Sequence, residues 1–234
     1  KLSIAEIAPR FPDFRVAAVV ARLDGMAAAR SAALDAEIAR READCRAAHP
    51  GVELGAIPGV AVWRVAYKGF GIKRTSYRSS VERLIKRVQA GDALPAINPL
   101  VDLYNAVSLT HGFCLGADDL DKTSGDLAFR YARAGDSFLD MGAAEGDDPN
   151  DPPKEGEVVY ADDNHVLCRR WNWRQDARTA VGPQTRRAIV TVQANGWGDV
   201  EAAVADLTGW IARELGGDCV SVWADRAQPV VALP

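Results

Sequence analysis

The sequence predicts an α+β fold with a sizeable hydrophobic core. Helical patterns dominate the first half of the chain, strand patterns follow, and a further helix and strand come last. Apolar residues make up 48% of the 234 residues, which is enough to build one large core. Helices and strands that segregate in this way are typical of layered α+β domains.

Four stretches are predicted to be helical. Residues 26–48 are rich in Ala and Arg and contain no Gly or Pro, and His49-Pro50-Gly51 ends them. Residues 58–70 alternate like a strand, but their aromatic residues recur at helical spacing, and a proline at the start with glycines at the end favours a helix. Residues 98–112 begin with an Asn cap and a proline and end at a glycine. Residues 199–215 begin at an Asp cap and end at a glycine pair.

Residues 79–89 give a fifth and clearer helix signal. Their apolar residues form one stripe, and Ser79 with Glu82 fits a capping box. Strands are expected at residues 14–21, 127–132, 188–194 and 219–224, and residues 157–173 should form a hairpin that turns at residues 162–164.

Charge is distributed unevenly along the chain. The net charge of −4 argues against general binding of polyanions over the whole surface. Residues 68–87, however, hold seven basic residues against Glu82 alone, so a local basic patch is expected. Such a patch suits a nucleic-acid backbone, although a solvated helix face would show the same pattern. The candidate backbone-binding residues are Lys73, Arg74, Arg78, Arg83, Lys86 and Arg87.

Several classes of protein are not expected. The four cysteines are widely spaced and form no CxxC, which favours reduced thiols in a cytoplasmic protein over a disulfide framework or a zinc site. The carboxylates of residues 117–122 lack the spacing of a calcium loop, so we expect no metal and no cofactor. No apolar run is long enough to span a membrane, and the first residues do not resemble a secretory signal.

Three stretches together resemble a known family. They are LPAINPLVDLYNAVSLTHGFCLGADDLDK, a GD–R–A–GD–F pattern, and GEVVYADDNHVLCRRWNWRQ. They look like the tRNA-binding editing module of bacterial phenylalanyl-tRNA synthetase, which comprises the third and fourth domains of its beta subunit. The whole chain resembles freestanding proteins built from that module. The resemblance covers about residues 14–194, and residues 195–234 would complete a single domain spanning residues 1–234.

The resemblance implies a fold, an activity and a partner. The fold would have three layers, with a β-sandwich of unusual topology flanked by helices. In the synthetase, the module hydrolyses tyrosine from a mischarged tRNA. A synthetase catalytic core is not expected within these 234 residues, so proofreading in trans is implied. The partner would be the aminoacylated 3′ end of a tRNA, with no role for DNA or a membrane.

The resemblance also implies pocket residues. Asn105 matches the family's Asn that faces the aminoacyl group, and Asp102 lies one helical turn before it. Gly116 stands where the synthetase has His, and Gln175 stands where it has Glu, which removes an obvious general base. His111 is a candidate replacement base, a partner of the helix dipole, or a surface residue. Asn105, His111 and Gln175 are therefore the candidate catalytic residues.

The segment CRRWNWRQ is the second stretch whose residues suggest contact with a ligand, because it is dense in arginine and tryptophan. On a strand, Arg169, Trp171 and Trp173 would share one face, and Arg170, Asn172 and Arg174 the other. The tryptophan face fits core packing or stacking on the terminal adenine, and the other face fits a polar pocket or phosphate contacts. The candidate substrate-binding residues are Asp102, Gly116, Arg170, Trp171, Asn172, Trp173 and Arg174.

Three functions remain open from the sequence. The first is an aminoacyl-tRNA deacylase that clears mischarged tRNA. The second is a non-catalytic tRNA or RNA binder, which the absence of the family's His and Glu favours. The third is a protein that binds or hydrolyses a small amino-acid derivative and has lost the tRNA surface. The sequence identifies neither the amino acid nor the oligomeric state.

Overall fold

Two β-sheets and five α-helices make up the fold in a computed structural model, which describes residues 1–73 and 77–234. The helices are α1 (Ala32–Ala48), α2 (Pro58–Gly69), α3 (Ser80–Gln89), α4 (Pro99–His111) and α5 (Val200–Leu215). The strands are β1 (Leu2–Ser3), β2 (Phe14–Arg22), β3 (Cys114–Asp119), β4 (Leu127–Tyr131), β5 (Val158–Ala161), β6 (Val166–Arg169), β7 (Arg174–Gln175), β8 (Arg187–Asn195), β9 (Asp218–Ala224) and β10 (Val230–Val231).

The two sheets differ in size and pairing. The six-stranded sheet has the order β10-β1-β4-β5-β6-β7, and the four-stranded sheet has the order β3-β8-β2-β9. All pairs are antiparallel except β1 with β4. Strands β3 and β7 are therefore edge strands, one in each sheet. Both edges contribute residues to one cavity.

The sheets pack on one another through aromatic residues. Phe14 on β2 contacts Phe129 on β4 edge to face, with 5.1 Å between ring centroids. Helix α5 contacts β2, β8 and β9 of the four-stranded sheet, and α4 contacts both α5 and β3. Helices therefore cover the four-stranded sheet, whose other side meets the six-stranded sheet. The expected three-layer α+β arrangement is confirmed.

Local sequence signals account for most helix boundaries. Asn98 Oδ1 accepts a hydrogen bond from Val101 N at 3.0 Å, and Gly112 ends α4 in the left-handed conformation at φ 73°. Asp199 caps α5 in the same way. The predicted helices at residues 58–70, 98–112 and 199–215 are confirmed.

Two helix predictions need correction. Helix α1 begins at Ala32 rather than at residue 26, because Ser31 Oγ accepts a hydrogen bond from Leu34 N and so caps it there. The capping box at Ser79 is absent. Glu82 instead accepts hydrogen bonds from Arg64 and Arg78, and the Ser79 hydroxyl has no partner within the described residues.

The segment after β6 is not a strand, and this corrects the predicted alternation of its side chains. Arg170 and Trp171 have φ angles of 46° and 68°, so the chain turns sharply at these two residues. The turn buries Trp171 completely among Phe11, Phe14 and Trp63, at centroid distances of 4.7, 4.8 and 5.3 Å. Trp171 and Trp173 therefore do not share a strand face.

Replacing Trp171 should test this packing. Trp171→Ala removes the side chain at the centre of the aromatic cluster and should lower the free energy of unfolding by about 3–5 kcal/mol. Trp210→Ala, on the partly exposed face of α5, is the matched control and should cost about 1 kcal/mol. Urea denaturation measures both variants, and equal losses would contradict the assignment of Trp171 to the centre of the core.

Candidate functional site

A cavity of about 270 Å³ lies between the edge strands β3 and β7, beneath helices α3 and α4. Gln175 on β7 connects the two edges, because its Nε2 donates hydrogen bonds to Ala117 O and to Asp118 Oδ1. Most of the residues that line it have polar side chains. The lining includes Ser80, Arg83, Tyr104, Asn105, Leu115, Gly116, Asp118, Asp140, Tyr160, Cys168, Asn172, Trp173, Arg174, Gln175, Thr191 and Gln193.

The floor of the cavity is one face of the four-stranded sheet. Gly116 on β3 pairs with Thr191 on β8, and Gln193 follows two residues along β8. A Cβ atom at Gly116 would meet no atom within 4 Å, so the missing side chain leaves free volume in the cavity. The floor is therefore open at Gly116, the position that the resemblance aligns with a His of the synthetase.

A hydrogen-bond network holds the polar groups of the floor in place. Tyr67 Oη donates to Asn172 Oδ1 at 2.9 Å, and Asn172 Nδ2 donates to Gln193 Oε1 at 3.2 Å. Gln193 Nε2 then donates to Thr191 Oγ1 at 3.0 Å. Because the network joins α2, the segment after β6 and β8, it fixes the orientation of each amide.

Asn105 enters the cavity from α4. The Asn98 cap and the Gly112 terminus set the limits of this helix, and Tyr104 beside Asn105 lines the same space. No described residue exchanges a hydrogen bond with the Asn105 side chain, which is half-buried. Its amide is therefore available to a ligand.

Asp118 is a cavity residue that the sequence reasoning missed. Its side chain is buried, and its Oδ1 accepts hydrogen bonds from Thr179 Oγ1 at 2.6 Å and from Gln175 Nε2 at 3.0 Å. Burial raises the pKa of Asp118 to about 7, against the opposing effect of these two hydrogen bonds. Ala117 to Asp119 belong to β3. The period of two along that strand places Asp118 on the same face as Gly116.

A wider groove of about 650 Å³ adjoins the cavity and shares part of its wall. Tyr104, Asn105, Trp173, Arg174 and Gln175 line both spaces. Four of the predicted backbone-binding residues line the groove, namely Arg78, Arg83, Lys86 and Arg87.

The family model of the B3/4 domain matches residues 62–197, which is more than half of the chain. The chain belongs to the B3/4 domain family. The matched region contains every described residue that lines the cavity.

One solved structure similar to this B3/4 domain protein is an N-terminal fragment of the phenylalanyl-tRNA synthetase beta subunit from Pyrococcus horikoshii. Identity is 16% and the TM-score is 0.41, over 53% of this chain and 44% of the fragment. This chain thus corresponds to less than half of that fragment. No curated protein matches the sequence.

The B3/4 domain brings some of the predicted residues together. The cavity wall contains Asn105, Gly116 and Gln175, and also Asn172, Trp173 and Arg174. Arg174 forms an ion pair with Asp140, and Arg83 Nη1 donates to Trp173 O at 3.1 Å. The Asn105 helix and the segment after β6 therefore line one cavity.

Four other candidates lie outside the cavity, which corrects the prediction for them. Asp102 is buried against the start of α4, where its Oδ1 accepts a hydrogen bond from Ile97 N at 2.8 Å. Trp171 belongs to the core. Arg170 is buried over the Tyr77 ring, 3.8 Å from its centroid, and burial lowers its pKa. Each is held by structural contacts with the surrounding chain.

His111 is the fourth of these residues. It lies six positions beyond Asn105 on α4 and therefore points away from the Asn105 face. Its Nε2 is 2.9 Å from Asp206 Oδ2, and the same carboxylate accepts two hydrogen bonds from Arg41. The network joins α1, α4 and α5, so His111 helps to hold these helices together.

Two backbone-binding candidates remain. Lys73 lines a separate hollow with Trp63, Tyr67 and Tyr77 rather than the groove. Arg74 lies outside the described residues. No group of three or more His, Cys, Asp or Glu side chains within residues 1–73 and 77–234 could hold a metal ion. No helix in this part of the chain is long and apolar enough to cross a bilayer.

Removing Asp206 should show that its network is structural. Burial opposes ionisation of Asp206, but hydrogen bonds from His111 and Arg41 hold its pKa well below the usual range. Asp206→Asn should lower the free energy of unfolding at pH 7 by about 2–3 kcal/mol, because it leaves the buried Arg41 with fewer partners.

The same variant should change how stability depends on pH. Because the pKa of Asp206 is lower in the folded protein than in the unfolded chain, where it is about 3.9, the ionised carboxylate stabilises the fold fully above that pH. This stabilisation decreases as the pH falls below about 3.9. The difference between wild type and Asp206→Asn should therefore narrow below about pH 4. Denaturation at pH 7 and pH 3 measures this, and a constant difference would contradict the ion-pair assignment.

Proposed function

We propose that this B3/4 domain hydrolyses the ester between an amino acid and the 3′ end of a tRNA, acting in trans. The observation that carries the proposal is the shared cavity. Asn105 on α4 and the residues from Asn172 to Gln175 line one polar space that adjoins a groove with basic side chains. The cavity would take the aminoacyl group and the groove would take the tRNA strand.

The charges of the groove suit a phosphate backbone. Lys86 and Arg87 are exposed on α3, and the carboxylate of Asp92 is the one acidic group lining the groove within the described residues. Backbone contacts need several cations on one surface and carry little sequence information. The groove thus provides local positive charge on a chain whose net charge is −4.

A stacking platform lies where the groove meets the cavity. Trp173 packs edge to face on Tyr77, and the guanidinium of Arg174 lies over the Trp173 ring, 4.6 Å from its centroid. The Arg174 side chain is about one-third exposed. A terminal base can stack on such an arginine plane, and each stacked base contributes about 1–3 kcal/mol.

The cavity offers an amide to the ester. Asn105 can donate a hydrogen bond to the ester carbonyl, and this bond becomes stronger as negative charge develops on the oxygen. The amide of Gln175 cannot accept a proton at neutral pH, and both of its hydrogen bonds already join β7 to β3. Gln175 therefore organises the wall rather than acting as a base.

A panel of charged tRNAs tests the proposal. Purified protein should accelerate the decay of at least one aminoacyl-tRNA ester over its rate in buffer. Asn105→Ala should slow that reaction by about 10²-fold, because it removes a donor to the developing oxyanion. Asn164→Ala, the same change in the exposed turn between β5 and β6, is the control and should keep the wild-type rate.

The other outcomes of this experiment distinguish between the three candidate functions. If no ester decays faster than in buffer, hydrolysis is excluded. Salt-dependent binding of uncharged tRNA without hydrolysis would then identify a non-catalytic binder. A thermal shift with free amino acids and none with tRNA would identify a small-molecule binder.

The groove can be tested separately by reversing one charge. Lys86→Glu should weaken tRNA binding and reduce the slope of log K against log salt concentration by about 0.7–0.9, the value for one phosphate contact. Arg226→Glu changes the sign of an exposed charge in the turn between β9 and β10 and is the control. Fluorescence anisotropy with labelled tRNA measures the affinity of both variants. Equal losses of affinity would argue against the groove as the binding site for tRNA.

A further inference from the structure

The carboxyl group of Asp118 has an unusual position in the cavity. One oxygen, Oδ1, accepts both hydrogen bonds, from Thr179 and from Gln175. No described residue donates to the other oxygen, Oδ2, and no Lys, Arg or His side chain in the described chain forms an ion pair with Asp118. The group is therefore held on one side and available on the other.

Among the residues that the structure describes, the surroundings of Asp118 contain no other group that is suited to accept a proton near neutral pH. Asp140, the second carboxylate of the cavity, is paired with Arg174. Burial raises the pKa values of Tyr104, Tyr160 and Cys168, which keeps these three side chains neutral. The cation Arg83 is directed to the carbonyl of Trp173.

The energetic cost of burying the unpaired carboxylate of Asp118 supports a functional role for this residue. An unpaired buried carboxylate destabilises the folded state unless it is protonated or gains a partner. Burial raises the pKa of Asp118 to about 7, and the nearby charges of Asp176 and Asp162 add to this effect. A general base works best when its pKa is near the operating pH.

We propose that Asp118 is the general base of the reaction, with Oδ2 accepting the proton of the attacking water. This inference rests on the proposed function. Asp118 would supply the base that this chain lacks at Gly116 and Gln175, where the resemblance gives the synthetase His and Glu. Gly116 leaves free volume beside Asp118 on the same strand face, and this volume can hold the ester and the water.

The step balances in atoms and charge. The water oxygen bonds to the ester carbonyl carbon while one of its protons moves to Oδ2 of Asp118. Asn105 donates to the carbonyl oxygen, which becomes an oxyanion. The intermediate then collapses, the bond between carbon and the ribose oxygen breaks, and the protonated Asp118 returns the proton to that oxygen. The products are the free amino acid and a tRNA with its 3′-terminal hydroxyl restored.

The isosteric variant Asp118→Asn tests the proposal. Asn can keep an oxygen acceptor for Thr179 and Gln175 but cannot accept a proton. We expect kcat to fall by about 10²–10⁴-fold, the contribution of a general base, while KM for the charged tRNA changes little. The residual rate should lose the wild-type dependence on pH near 7.

Asp119→Asn is the matched control. Asp119 is the next residue on β3, is buried to the same extent, and points to the opposite face, where its Oδ2 accepts a hydrogen bond from Thr185 Oγ1. This variant should keep the wild-type pH profile. Thr179→Val removes a donor to the ionised Asp118, so it should raise the apparent pKa and move the pH profile to higher pH.

Stability provides a measurement independent of activity. Because the folded-state pKa of Asp118 is raised, its ionised form destabilises the fold, and wild type should gain stability as the pH falls from 8 to 5. Asp118→Asn should lack this gain. Parallel stability curves for the two proteins would mean that Asp118 does not titrate in this range and would overturn the inference.

The activity results separate the two proposals. If wild type accelerates the decay of no charged tRNA, the proposed function fails and the role of Asp118 fails with it. If wild type is active and Asp118→Asn keeps its rate and pH profile, only the role of Asp118 is wrong. A lower rate with the wild-type pH profile would assign Asp118 a structural role and also overturn the inference.

Discussion

The burial of Trp171 is the contact on which the arrangement of the cavity depends. Its indole ring lies among three aromatic residues from other parts of the chain: Phe11, Phe14 on β2 and Trp63 on α2. The left-handed conformation of Arg170 and Trp171 is unfavourable for residues with a side chain, so packing must stabilise it. Once the chain has turned there, Asn172 reaches Tyr67 and Gln193, and the following residues line the cavity.

The cavity lies between two sheet edges, and each edge contributes different functional groups to its wall. Strand β3 contributes the open position at Gly116 and the carboxylate of Asp118. Strand β7 contributes Arg174 and the bridging amide of Gln175. An edge strand has backbone groups that need partners, and Gln175 satisfies one of them by donating to Ala117 O. The same side chain therefore joins the sheets and fixes Asp118.

Several elements could be predicted from the sequence because their causes are local. The caps of α4 and α5 use Asn98 and Asp199 as the sequence indicated, and the helix at residues 58–70 forms as its proline and aromatic spacing suggested. The role of His111 could not be predicted, because its partner Asp206 is 95 positions away. The reversal at Arg170 was also missed, since neither residue of the turn is a glycine.

The residues that form the site show what the sequence can predict and what it cannot. The sequence by itself determined the α+β class, most helix and strand positions, and the resemblance that singled out Asn105, because these depend on short-range pattern and on motif. Only the tertiary structure decided that Asp118 is a buried acid in the cavity. Its proton affinity depends on burial and on donors at Gln175 and Thr179, which are 57 and 61 positions away. Electrostatic environment is set by distance in space, and only folding brings these groups together.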